Sequence, residues 1–61
     1  MSEPSLIEIL KELETFYGGV DSTCEELGIS RSTWSRWING IVEPNNSTIK
    51  WIKYLYYARG I

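Results

Sequence analysis

Apolar residues recur near the start of the chain at three- and four-residue steps: Leu6, Ile9 and Leu10, Leu13, then Phe16 and Tyr17. That period lays a single apolar stripe along a helix. It predicts a helix from about Pro4 to Tyr17, with Ser2 as candidate N-cap, Pro4 tolerated in the first turn and Gly18-Gly19 as the stop. A short second segment, about Val20 to Leu27, ends at Gly28. A third, about Arg31 to Asn39, follows Ser30 and stops at Gly40. Pro44, Asn45 and Asn46 are turn formers in the loop that follows. A last helix, about Thr48 to Arg59, is capped by Ser47 or Asn46 and closed by Gly60. Its stretch TIKWIKYLYY is rich enough in β-branched and aromatic residues to suggest a strand, but strict alternation fails. Ile49, Trp51 and Leu55 share a parity with Lys53, and Ile52 falls in the other. The expectation is one all-α domain of four to five helices spanning residues 1–61.

The most informative stretch is VDSTCEELGISRSTWSRWING, residues 20–40. Two short helices joined by a three-residue turn containing Gly form the helix-turn-helix signal. Cys24 is small enough to let the two helices approach, and Gly28 suits a turn that needs positive φ. Leu27, Ile29, Trp34 and Trp37 are the contacts expected to fix the angle, with Ser30 capping the second helix. On that helix Trp34 and Trp37 fall inward and Thr33 toward the packed side. Ser32, Ser35 and Arg36 fall outward, with Arg31 at the flank. Small hydroxyls beside an arginine that can reach guanine O6 and N7 suit a major groove, where a bulky face could not approach.

A net charge of −2 and a pI near 4.9 look wrong for a polyanion binder until the chain is divided. Residues 1–30 carry one Lys against seven acids, and residues 31–61 carry five Lys or Arg against Glu43 alone. The local field decides encounter with DNA, so a basic end can serve despite the overall balance. Lys50 and Lys53 are candidate phosphate contacts on the last helix, or they simply keep it soluble.

Catalysis is not expected. There is no His, and the lone Cys24 has no imidazole to activate it. A Cys/His zinc site would have one candidate ligand, and one cysteine makes no internal disulfide. No metal, cofactor or small-molecule ligand is indicated. The start, MSEPS, lacks the basic region of a signal peptide, and no apolar run approaches the ~18 residues of a membrane span. A soluble, cytoplasmic protein is expected. At this length one core supplies about 3–5 kcal/mol, so a partner is an economical stabiliser. The last helix offers one. Beside Ile49, the residues Ile52, Leu55 and Tyr56 form a sector fit to cover the core. Trp51, Tyr54 and Ala58 widen the apolar arc beyond the ~100° a surface helix needs, which points to a homodimer through Trp51 and Tyr54, with Leu55 as a further candidate. The alternative is that Trp51 folds back on the first helix and Tyr54 is amphipathic surface.

Residues 20–40 resemble the helix-turn-helix of phage Cro and repressor proteins, the lambda-repressor-like family. The resemblance is carried by Gly18-Gly19 before the motif, Cys24 at the small-residue position, Leu27-Gly28-Ile29-Ser30 at the turn, and Ser35-Arg36-Trp37-x-Asn39-Gly40 with Pro44 after it. It implies transcriptional repression by a dimer on a palindromic operator. It further implies that Ser30, Arg31, Ser32 and Arg36 meet bases or flanking phosphates, and that Asn39 and Gly40 meet the backbone. Thr23 departs from the pattern where an apolar residue is expected, Trp34 is larger than the usual Val or Ile, and the first half is acidic. A second reading uses the same fold as a protein-interaction module, an antirepressor or regulatory subunit without DNA, because fold does not settle function.

Overall fold

The computed structural model describes residues 4–60 as four helices: α1 (Leu6–Tyr17), α2 (Val20–Leu27), α3 (Arg31–Ile38) and α4 (Asn46–Ala58). No strand occurs among the described residues, and the aromatic segment expected to be helical is α4. α1 packs against each of the other three helices, and α2 packs against α3. The core lies where these surfaces meet. Ile9, Leu10 and Leu13 come from α1, Cys24 from α2, Trp34 and Trp37 from α3, and Ile52 and Leu55 from α4.

Helix ends follow hydrogen bonds more closely than apolar spacing. α1 starts at Leu6, two residues after the expected start at Pro4, because Ser5 and Glu8 form a capping box. The Ser5 hydroxyl accepts from Glu8 N at 3.2 Å, and the Glu8 carboxylate accepts from Ser5 N at 3.4 Å. Pro4 therefore precedes the helix, and Ser2, the expected cap, lies outside the described residues. α4 starts two residues early for the same kind of reason: Asn45, not Asn46 or Ser47, is the N-cap, its Oδ1 accepting from Thr48 N at 2.8 Å. At the far end of α1, Tyr17 turns partly inward and Phe16 is 50% exposed.

Thr23, the polar departure in α2, is fully buried. Its hydroxyl donates to Gly19 O at 2.7 Å and lies 3.5 Å from Leu13 O. A buried hydroxyl left unbonded costs about 1–3 kcal/mol, and this internal bond removes that penalty.

The α2–α3 turn is fixed by Gly28, which closes α2 in the left-handed region at φ 71°. Its N–H reaches Glu25 O at 3.2 Å, and Ile29 N reaches Cys24 O at 3.0 Å. No atom lies within 4 Å of where a Cβ would stand, so only the backbone conformation resists a side chain. Gly28→Ala is therefore expected to cost about 1–2 kcal/mol in urea unfolding, and Gly28→Asn less, since Asn tolerates this region. Equal stability of all three would show that the turn does not depend on positive φ.

Candidate nucleic-acid interface

α3 separates two chemistries around its axis. Trp34 and Trp37 are 5% and 8% exposed and face the core, whereas Arg31, Ser32, Ser35 and Arg36 are exposed. The indoles anchor the helix at two levels one turn apart, so the outward set is presented from a rigid support. Arg31, Ser32, Ser35 and Arg36, together with Val20 and Trp34, line a shallow open concavity. Two guanidinium groups and two small hydroxyls thus share one surface, as the residue order on the helix required.

The flanking residues are held by caps. Ser30 ends the turn in an extended conformation; its hydroxyl accepts from Thr33 N at 3.2 Å and lies 3.1 Å from Thr33 Oγ1. At the other end, Asn39 Nδ2 donates to Ser35 O at 2.8 Å and approaches Ser35 Oγ at 3.3 Å. That bond fixes the exposed amide against the last turn of α3. Gly40, at φ 71°, then reverses the chain, and Ile41 N donates to Arg36 O at 2.9 Å. Cys24 links α2 to this region, its Sγ donating to Ser30 O at 3.8 Å. Burial pushes the Cys24 thiol up, with Asp21 adding to the rise and Arg31 opposing it, so the sulfur remains an unreactive thiol at neutral pH.

Charge is arranged differently in space than along the chain. Arg31 Nε lies 3.2 Å from Asp21 Oδ1, an ion pair between the first turns of α3 and α2. Arg59, counted among the cations of the second half, turns away from α3. Its Nη2 lies 3.8 Å from Glu26 Oε1, and its guanidinium stands 6.0 Å from the centre of the Tyr17 ring. Lys50 is exposed and Lys53 half-buried on α4, which packs on α1; neither lines the α3 concavity. Sequence reasoning counted Asp21 only as one acid among seven. The signal available was an acid and an arginine each in the first turn of one of two helices joined by a tight turn.

On α4, Trp51 and Tyr54 are 46% and 60% exposed, with rings stacked 5.5 Å apart at 17°. Tyr57 is also exposed, its ring 5.2 Å from that of Tyr56. Leu55, expected on the same surface, is instead a core residue at 4% exposure, because it falls one turn from Ile52 on the side facing α1. A second concavity runs beside the aromatic pair, lined by Glu26, Trp51, Tyr54, Leu55, Ala58 and Arg59.

Among the described residues no cluster of three or more His, Cys, Asp or Glu is placed to hold a metal, and no helix is long and apolar enough to cross a membrane. No protein-family model, curated protein or solved structure matches this chain.

Proposed function

We propose that the chain is a sequence-specific DNA-binding transcriptional regulator. In this reading α2 and α3 form a helix-turn-helix of the lambda-repressor-like kind, acting as a Cro-type repressor on double-stranded operator DNA. One observation carries it: α3 buries both tryptophans and turns Arg31, Ser32, Ser35 and Arg36 outward together. A cationic, hydrogen-bonding face on a rigid helix matches what major-groove base edges offer. α3 is the recognition helix, with Ser30 and Asn39 at its two ends and Gly40 turning the chain toward the backbone. The N-cap of α2 is Gly19, which has no side chain to cap the first-turn amides, and they suit a phosphate oxygen. This supplies backbone contact from a half of the chain that is otherwise acidic. Lys50 and Lys53 add phosphate contacts from α4, and a second copy docks through Trp51 and Tyr54 to read the other half of a palindrome.

The test is selection of duplexes from a random pool by the purified protein, followed by Arg36→Ala on the selected site. Arg36 is expected to contribute about 1–3 kcal/mol, with discrimination relaxed at one base pair. Uniform weakening across sequences would make it a phosphate contact, and no weakening would remove it from the reading face. Lys50→Gln is expected to lower the slope of log K against log[salt] by up to about one unit with base preference unchanged.

The protein-interaction reading is favoured by one observation, the exposed acids of α1 and α2, among them Glu12, Asp21, Glu25 and Glu26. Salt separates the two. Counterion release makes DNA affinity fall steeply with ionic strength, whereas an apolar protein interface barely responds.

A further inference from the structure

We infer that Asp21 sets specificity: it holds the Arg31 guanidinium for guanine and penalises other seatings of that side chain. The inference rests on the DNA-binding reading above and names how one position of the site would discriminate.

The geometry of the pair carries it. Arginine presents five N–H donors in a planar fork. Asp21 engages the Nε end at 3.2 Å, which biases the fork toward an orientation that turns its Nη end to an acceptor pair. Guanine N7 and O6 form such a pair in the major groove. Both side chains start from helical first turns, Asp21 in α2 and Arg31 in α3, and the turn between those helices is closed by Gly28 and the Ser30 cap. The aim of the fork is therefore set by α2–α3 packing rather than by a loop.

The same pair has an electrostatic cost. Arg31 and Asp21 side chains are 72% and 79% exposed, and in water such a pair is nearly neutral in energy. A duplex seated on α3 would exclude water and strengthen the pair, because Coulomb energy rises as the local dielectric falls. It would also bring phosphates toward the Asp21 carboxylate, which repels them. Asp21 thus lowers affinity for every sequence, and least where Arg31 meets guanine in the held orientation. An arginine without this partner could swing to a phosphate and bind any sequence.

The experiment measures affinity and base preference on the selected duplex for the wild type, Asp21→Asn, Arg31→Ala, the double variant and Glu25→Gln. Glu25 is an exposed acid on the same helix, so its variant reports removal of one charge alone. Asp21→Asn and Glu25→Gln are both expected to tighten binding to all duplexes. Only Asp21→Asn should reduce the preference for guanine at one base pair, by about three- to tenfold, a part of what one bidentate arginine contact supplies. In the Arg31→Ala background that reduction should vanish. Asp21→Asn matching Glu25→Gln in both readouts would overturn the role of Asp21 and leave the DNA reading intact. Failure of the wild type to select any duplex would overturn both.

Discussion

Trp34→Ala is expected to unfold the domain. Trp34 is 5% exposed and belongs to the cluster that joins α3 to Ile9, Leu10 and Leu13 of α1. Truncating a buried tryptophan removes its transfer energy and leaves a cavity, at a cost of about 3–5 kcal/mol. A single core in a domain this small supplies a net stability of about 3–5 kcal/mol. The loss matches the reserve, so the variant should lose most of its helical circular dichroism and its cooperative melt. Trp37→Ala should behave similarly, since Trp37 anchors the next turn of the same face. Trp51→Ala is the control: that indole is 46% exposed and its loss should leave the helical signal in place. A Trp34→Ala protein that still melts cooperatively, within about 1.5 kcal/mol of the parent, would mean that α3 is not held by its indoles. The DNA proposal would then lose its rigid support.

Periodicity makes α1 readable because it buries one stripe, whereas α2 and α3 are readable from their glycine stops, the Ser30 cap and the short turn between them. The two cap errors have one origin. Apolar spacing locates the middle of a helix, but its start depends on which side-chain oxygen reaches a free amide. Ser5 and Glu8 advertised themselves as S-x-x-E, and that signal outranks Pro4 and Ser2. On α4 the helical period places Ile52 and Leu55 in the inward sector, and both are core residues, while Trp51, Tyr54 and Tyr57 stay outside. Leu55 lies at the edge of that sector, next to the widened apolar arc, and contact with α1 takes it out of the dimer surface. The outward face of α3 was legible because two tryptophans on one side leave no doubt about which side faces water. Asp21 beside Arg31 could not be seen that way, because the pair depends on the angle between two helices rather than on the period of either.

Under the proposed DNA-binding reading, removing the exposed aromatics of α4 is expected to produce the largest change in operator binding. Trp51 and Tyr54 form an exposed stacked pair, with a concavity lined by Glu26, Ala58 and Arg59 alongside. A projecting aromatic and a recess on one surface are what a two-fold interface needs, because each copy must supply both parts. Aromatic residues also dominate the energetics of such contacts. A dimer that reads a palindrome would hold its two α3 helices about one DNA turn, ~34 Å, apart. Joining two half-site binders makes the second contact intramolecular and raises affinity by about 10²–10⁴-fold. Trp51→Ala combined with Tyr54→Ala should therefore sediment as a monomer, keep its helical content and lose affinity for the full palindrome by a factor in that range. Its affinity for a single half-site should stay near that of the parent, since neither residue touches α3's outward face. A double variant that still sediments as a dimer would move the interface elsewhere. One that is monomeric yet binds the palindrome as tightly as before would mean that each half-site is read independently, and that the aromatic face has no part in DNA binding.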